Sequence, residues 1–467
     1  MRWARAAVVK WLIRAAVIAT VADDATTAHA ETGPPSTPAA QADADTDDGQ
    51  TDADAAESLQ EADDETTEAP TGPGPAAPAK GVVVVGFIDV GFAKAQGNGT
   101  SYAPGDLRAP ADYGVDTFAT AVNSRGDVAS NDPGGRFVNG FFPQSVGIGG
   151  HGSLLLNVLS ADLRYTSRGA PLFVFARAVM LPRLSAAGDS TRVLLEQAFG
   201  RLTPLDSAEL AISIGKFDSV FGIEYLENPS NIRVGITPSL FARYTTGTSL
   251  GAKVFYRIQI PILWSALSVN LAGTNSGNMV EALQGPDANL TGVPVASGRV
   301  GYELNLPWVE IKLGASGLQG PRNDQRDQNA EQRMWGFDAR LYVAGLALNG
   351  EYIHVDEESG AVPKLTGDGL FPLTSEFHAR GFYAQAAYAL PFTQRVFRRL
   401  SVYARVEQRH AWFEGFTPVT VQRGTGGLRL DLWDEVALKG EVLVNREVAG
   451  APQVANNVLT SSLVYTW

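Results

Sequence analysis

Apolar and polar residues alternate along most of the chain after residue 80. In residues 299–306, charged or small residues mostly occupy the odd positions and apolar residues the even ones, and the same alternation recurs at 253–260, 309–313, 337–343 and 438–444. Successive side chains of a strand point to opposite faces of a sheet. The pattern therefore predicts many strands, each with one apolar face and one charged face.

Sixteen segments carry this pattern, an even number as in single-chain bacterial membrane barrels. The predicted strands are 81–94, 152–165, 171–184, 192–203, 208–219, 237–260, 263–274, 296–306, 307–319, 333–343, 345–356, 379–390, 400–412, 420–432, 434–447 and 454–467. The segment 237–260 is long enough for two strands, which would give an odd number. We interpret it as one strand that runs on from a kink at residues 245–249.

Long and short connections alternate between these segments. Residues 95–151 form a long connection, whereas 167–170, 343–345 and 433–435 are tight turns. A soluble sandwich has an apolar inner face and needs only about seven to ten strands, so it does not explain this pattern. We expect an all-β fold, a transmembrane antiparallel up-and-down β-barrel of about 16 strands with short periplasmic turns and long extracellular loops.

The N-terminal 80 residues differ from the rest. Residues 1–30 combine four basic residues, a short apolar run and Ala28-His29-Ala30, which predicts a signal peptide and export. Residues 31–80 hold 13 acidic residues and one basic residue, with a single Leu and no aromatic residue. Such a segment cannot bury a core, so we expect a disordered acidic tail, either a solvated linker or a cation-attracting spacer. The barrel is expected over 81–467, in the bacterial outer membrane.

Two sets of motifs resemble known outer-membrane proteins. The chain ends on Leu463, Tyr465 and Trp467, which share one strand face, and this end resembles the last strand of outer-membrane barrels that the barrel assembly machinery reads. The segments 86–92, 214–217, 221–225 and 243–244 resemble the phosphate-selective porin family and related porins. That resemblance implies a homotrimeric, sixteen-stranded, water-filled channel for passive diffusion of ions, including anions such as phosphate, and of small hydrophilic solutes. It implies no enzymatic activity and no cofactor.

The charged faces of the strands are the candidate lining of the pore. The predicted pore-lining residues are Lys253, Arg257, Arg299, Glu303, Asp338, Arg340, Arg405, Glu407, Arg409, Arg429, Asp431, Lys439 and Glu441. They either produce a transverse field that orients passing ions or form cross-strand pairs that stiffen the wall, each contributing about 0.2–1 kcal/mol. The basic members Lys253, Arg257, Arg405, Arg409 and Arg429 form a predicted anion-favouring stripe.

Two loops are candidates for a constriction. One is the long connection 95–151, because long loops without regular structure are usually functional or mobile. The other is Phe221–Arg233, with Glu224, Glu227 and Arg233, which lies where the resembled family places its inward loop. The sequence has no dense cluster of Arg and Lys in a single loop, the feature that would predict oxyanion selectivity.

Other chemistry has little support in the sequence. The chain has no cysteine, and its histidines have no spacing typical of a metal site. A Gly-x-Ser-x-Gly match at 247–251 lacks a strand-to-helix elbow. The alternatives to a channel are a lipid- or ester-hydrolysing barrel, with Ser249 and His378 or His410 as its nominal partners, and a structural or adhesive barrel. The sequence has no basic patch with interleaved aromatic residues, so it does not predict nucleic-acid binding. Outer-membrane lipid is the partner that the apolar faces require.

Overall fold

A closed barrel of sixteen antiparallel strands forms the described part of the chain in the computed structural model. The structure describes residues 81–95, 152–167, 169–181, 192–205, 209–227, 229–275, 293–321, 331–358, 376–390, 398–413, 418–449 and 457–467. The predicted signal peptide, the acidic tail and almost all of the long connection after the first strand lie outside these residues.

The strands follow the alternating segments of the sequence. They are β1 (Gly81–Ala95), β2 (Gly152–Thr166), β3 (Leu172–Leu181), β4 (Arg192–Leu202), β5 (Leu210–Asp218), β6 (Thr248–Ile260), β7 (Ser265–Thr274), β8 (Val295–Leu306), β9 (Val309–Pro321), β10 (Glu331–Val343), β11 (Leu346–Glu357), β12 (Phe377–Ala389), β13 (Arg399–Phe413), β14 (Val419–Asp431), β15 (Val436–Ala449) and β16 (Val458–Thr466). The described helical elements are single turns at Glu224–Glu227, Ala242–Thr245 and Pro261–Leu263. Among the described residues, no helix has the length and hydropathy of a membrane-spanning helix.

Each strand pairs with its sequence neighbours, and β1 closes the barrel by pairing with β16. At this closure the backbone N–H of Gly86 donates to the carbonyl of Trp467 at 3.0 Å, and the N–H of Trp467 donates back at 2.9 Å. A side chain on Gly86 would collide with the Trp467 indole, since a Cβ there would lie 2.5 Å from the ring. The chain terminus is thus part of the closing ladder.

The predicted fold class and strand number are confirmed, with one strand boundary wrong. The segment 237–260 was expected to be strand throughout, but β6 begins only at Thr248. Residues 237–247 belong to the connection before it, so the kink expected at 245–249 is the place where the strand starts. No local pattern separates the two, because residues 240–244 contribute apolar and aromatic side chains that fit a strand.

The two faces of the barrel wall differ as the alternation predicts. Outward residues such as Ile214, Val406 and Leu459 are 66%, 57% and 54% exposed, and they are apolar. Their neighbours on the inward face are polar or charged and mostly buried, such as Ser213 and Arg405. The outer surface is therefore mostly an apolar band, and most charges of the wall face the interior.

Candidate functional site

The connection between β5 and β6 runs through the barrel interior. Its described residues, 219–227 and 229–247, are named the inward loop here. Nine of them, including Phe221, Ile236, Phe241 and Tyr244, are 6% exposed or less and apolar. The backbone turns at Pro229, whose carbonyl accepts from the N–H of Arg233 at 3.0 Å, and again at Ala242–Thr245. The apolar side chains give the loop a small core of its own inside a charged lumen.

Two glycines of the far wall make room for this core. A Cβ on Gly336 of β10 would lie 3.3 Å from the ring of Phe221, and one on Gly381 of β12 would lie 2.5 Å from the ring of Phe241. Larger residues at these inward positions would push the loop away from the wall. The inward loop therefore starts at β5 and crosses to the opposite side of the barrel.

Cationic side chains of the far wall bind the loop through its carbonyl groups. The Lys439 ammonium donates to the carbonyls of Arg233 at 2.6 Å and Gly235 at 3.1 Å, and also to that of Ser230. The Arg405 guanidinium donates to the carbonyls of residues 237 and 238, both at 3.0 Å. Arg423 also donates to the carbonyl of residue 238 at 2.8 Å, and Arg429 donates to the carbonyls of residues 232 and 233 at 3.0 and 3.1 Å. These contacts compensate buried cations, which would otherwise be costly in the interior.

Carboxylates of the same wall bind the N–H groups of the loop. Glu441 accepts from the N–H of Ile236 at 2.6 Å and from that of Thr237 at 3.2 Å, and it also binds the hydroxyl of Tyr403. Glu407 accepts from the N–H of Leu240 at 2.6 Å, and Glu351 accepts from the N–H of Ile223. The wall thus satisfies both the donors and the acceptors of a loop that has little regular structure.

The loop also carries buried charges of its own. Glu224 accepts from the backbone N–H of Ser239 at 2.6 Å and from its hydroxyl, which ties the two ends of the loop together. Burial raises the pKa of Glu224, and the hydrogen bonds from Ser239 oppose that rise. Burial lowers the pKa of Arg233, and the nearby carboxylate of Glu441 acts in the opposite direction.

All thirteen predicted pore-lining residues lie on the inward face. Ten of them are buried, and only Arg299, Arg429 and Asp431 are half-buried. Arg405 pairs with Glu407 at 2.6 Å and Arg429 with Asp431 at 2.7 Å, within one strand each. Most of these charges contact the loop or one another, so the predicted stripe is not a continuous exposed surface.

Other charged residues of the wall pair between strands. Arg299 and Glu303 share the inward face of β8, and the Arg299 guanidinium binds Asp338 on β10 at 2.6 and 2.9 Å. Glu303 instead pairs with Arg257 of β6. Lys253 lies 4.8 Å above the ring of Phe217. Register across strands, which spacing within one strand does not reveal, decides these partners.

The inward loop includes the predicted constriction segment Phe221–Arg233 but extends to residue 247. Glu224 and Arg233 are buried within it, whereas Glu227 is half-buried, with its carboxylate 3.5 Å from the Arg340 guanidinium. Sequence reasoning missed residues 234–247 and the wall residues Glu351, Tyr403 and Arg423. Their position on polar strand faces was the available signal for the last three.

The nominal hydrolytic partners are not brought together. Ser249 is fully buried on the inward face of β6, whereas His378 and His410 lie on the outward face of β12 and β13. Strand pairing does give the histidines an acidic neighbour, contrary to expectation, since Asp356 lies 2.9 Å from His354 and 2.7 Å from His378. Within the described ranges, no group of three His, Asp or Glu residues is arranged to hold a metal ion.

The terminal residues Leu463, Tyr465 and Trp467 lie on the outward face, each between 43% and 47% exposed. The rings of Tyr465 and Trp467 stack with centroids 6.1 Å apart. They continue the apolar outer band to the end of the chain that closes the barrel.

Comparisons with known proteins give structural similarities only. No family model and no curated protein matches the chain. The chain is similar to OmpT of Vibrio cholerae (8% identity, TM-score 0.47, 84% of this chain and 99% of that chain). It is also similar to the outer membrane channel DcaP of Acinetobacter baumannii (10%, 0.47, 84% and 99%) and to an anion-selective porin from Comamonas acidovorans (10%, 0.45, 83% and 99%). The barrel itself is established by the strand pairing described above.

Proposed function

We propose that the protein is an outer-membrane porin, a channel for passive diffusion of ions and small hydrophilic solutes. The observation that carries this proposal is the inward loop, which crosses the lumen and is held by charged residues of the far wall. A barrel with only a structural role does not require a loop fixed inside it. Loop residues Leu226, Glu227, Pro229, Asn231, Ile232 and Val234 are half-buried, whereas the other loop residues with a described side chain are buried, which supports a narrowed passage beside the loop rather than a seal.

The outer surface supports the location. Apolar side chains cover the outward face of the wall, as a barrel in lipid requires. With the predicted signal peptide, this favours insertion into the bacterial outer membrane by the barrel assembly machinery, with the short turns on the periplasmic side. We further propose a homotrimer, supported by small outward residues on β2 to β4, where Ala161 lies opposite Ala178 and Ala176 lies opposite Ala198.

We expect at most a mild preference for anions. The basic residues of the predicted stripe mostly bind loop carbonyls or carboxylates, and the barrel segment as a whole has 32 basic and 35 acidic residues. Charges in a water-filled passage are screened over about 8 Å at physiological salt. Selectivity, including any for phosphate, should therefore be weak and should fade as the salt concentration rises.

The test is recording from the purified, full-length protein in planar lipid bilayers. Stepwise conductance with a small anion-directed reversal potential in a salt gradient is expected. A folded barrel that inserts without raising conductance would contradict the channel and favour a structural or adhesive role. Strong cation selectivity would contradict the proposed anion preference but not the proposal that the protein is a channel. Hydrolysis of a lipid or ester by the same preparation would overturn the assignment as a non-enzyme.

A further inference from the structure

The outer face of the barrel has one polar sector. At one end of β10 to β13, the end that carries the long connections, a group of outward residues forms what we call the rim patch. The rim patch consists of Arg333, Trp335, His354, Asp356, His378, Arg380, His410 and Trp412. Phe337 and Phe382 follow on the same strand faces and are 58% and 42% exposed, which places the rim patch on the outside of the wall.

The polarity of this sector decreases with depth along the strands. The register aligns Trp335, His354, Arg380 and His410 in one row across four strands. One row further from the strand ends lie the aromatic residues Phe337, Tyr352 and Phe382, with Gln408 on β13. The row after that is Ala339, Gly350, Ala384 and Val406. A change from charged to aromatic to aliphatic is typical of a wall that passes from the headgroup level into hydrocarbon.

At the same height on the other side of the barrel, exposed apolar residues predominate, with Lys216 of β5 as an outward cation among them. Leu154, Val193 and Leu271, close to the corresponding ends of β2, β4 and β7, are 81%, 70% and 57% exposed. The rim patch is thus a localised feature and not a girdle around the whole barrel. A local ligand, rather than the bilayer in general, is needed to explain it.

Arg380 is the cation available to such a ligand. Within the described part of the chain, no carboxylate pairs with it, and its guanidinium lies 5.8 Å from the centre of the Trp412 ring. The carboxylate of Asp356 is already bound by His354 and His378, one imidazole on each oxygen. Arg333, by contrast, pairs with Glu331 at 2.7 Å.

The imidazoles on either side are held in place by aromatic rings. The rings of Trp335 and His354 stack with centroids 5.0 Å apart, as do those of His378 and Trp412. A guanidinium near an indole can still present its N–H groups, and that planar fork matches the oxygens of a phosphate group. The row therefore presents an oriented cation flanked by hydrogen-bonding rings.

We propose that the rim patch binds the phosphate group of a phosphorylated lipid of the outer leaflet, with Arg380 as its main contact. The depth gradient favours a lipid over a second copy of the chain, because a protein interface would not follow the polarity profile of the bilayer. The inference rests on the proposed outer-membrane location but not on conduction through the barrel.

The test is titration of the detergent-solubilised, full-length barrel with diphosphorylated lipid A, with bound lipid measured by native mass spectrometry. Arg380→Gln should weaken binding about tenfold, as expected for loss of a charged hydrogen bond. Arg380→Lys keeps the charge but not the planar fork, so its affinity for the lipid should lie between those of the parent and Arg380→Gln proteins. Lys216→Gln is the matched control, because Lys216 is an outward cation on β5, two residues from the exposed Ile214, and it should bind lipid as the parent does.

Removing both phosphates from the lipid should weaken binding to the parent as much as Arg380→Gln does. Equal binding of the two lipids, or equal binding of the parent and Arg380→Gln proteins, would overturn the proposal.

Since the chain has no cysteine, Phe337→Cys provides a single labelled position beside the rim patch. Disulfide-linked dimers of that variant in native membranes would show a second copy on this face and would also overturn it. Normal conductance of Arg380→Gln shows that its barrel is intact.

Discussion

Lys439 brings a positive charge into the barrel interior, where only 1% of the residue is exposed. Its ammonium has three protons and donates to three loop carbonyls, so each proton has an acceptor. The arrangement also satisfies carbonyls that belong to no helix or strand. A neutral side chain of the same length would remove all three of these donors, and of the three carbonyls that of Arg233 would still accept from Arg429.

Lys439→Met should therefore release the middle of the inward loop. We expect the position of the loop against the far wall to become less stable by about 2 kcal/mol, the size typical of buried polar groups left unsatisfied. Trypsin should then cleave after Arg233 in the folded barrel, and single-channel recordings should become noisier. Lys312→Met is the control, a matched Lys-to-Met change at a wall lysine whose ammonium pairs with Glu310 at 2.8 Å in its own strand. Identical trypsin resistance in both variants would argue against the anchoring role of Lys439.

The inward loop as an element depends on contacts far apart in sequence. Its carbonyl at Arg233 and the ammonium of Lys439 are 206 positions apart. Strands could be predicted because a period of two is a local signal. The extent of the loop could not, because residues 237–247 read as a continuation of β6, and only the pairing of Asp218 with Thr248 shows where the strands end.

The charged wall shows the same limit. Sequence reasoning found which residues face inward, since alternation fixes the face. It did not find their partners, because Arg299 and Asp338 meet through the register of three strands. The role of Arg405 and Glu407 as loop anchors also depends on where the loop ends, which no local pattern encodes.

Replacing residues 220–246 with a short Gly-Ser turn should leave the barrel folded. The ladder between β5 and β6 ends at the pair Asp218 and Thr248, so a turn can follow it directly. The anchors Lys439, Glu407 and Glu441 would then face water in the lumen and stay charged. Single-channel conductance should rise several-fold, and the weak ion selectivity should fall further. Unchanged conductance in a barrel with parental gel mobility would place the constriction elsewhere.

At the scale of the whole molecule, the barrel begins directly after the acidic tail. The first strand starts at Gly81 and pairs with both β2 and β16, so the described closure of the barrel is formed by residues from Gly81 onward. Deleting residues 31–80 while keeping the signal peptide should leave folding and conductance unchanged. Unboiled and boiled samples should still migrate apart in gel electrophoresis, and circular dichroism should be β-rich. Loss of the folded band would show that the tail contributes to the barrel.

The last prediction concerns closure by β16. Deleting residues 465–467 removes the backbone pair between Trp467 and Gly86 and the pairing of Tyr465 with Ile88. It also removes two outward aromatic rings from the end that the assembly machinery is expected to read. The amount of folded protein in the outer membrane should fall, while synthesis and export, measured as total processed protein, stay the same.

Trp467→Phe is the matched control for that deletion, because it keeps the backbone pair and an aromatic terminus. It should assemble nearly as well as the parent, since a phenyl ring also fits above Gly86, where there is no Cβ to collide with it. Gly86→Val should resemble the deletion, because its side chain would meet the indole and the carbonyl of Ser160. Normal assembly of both Gly86→Val and the deletion would mean that the β1–β16 contact at residue 467 is dispensable for closing the barrel.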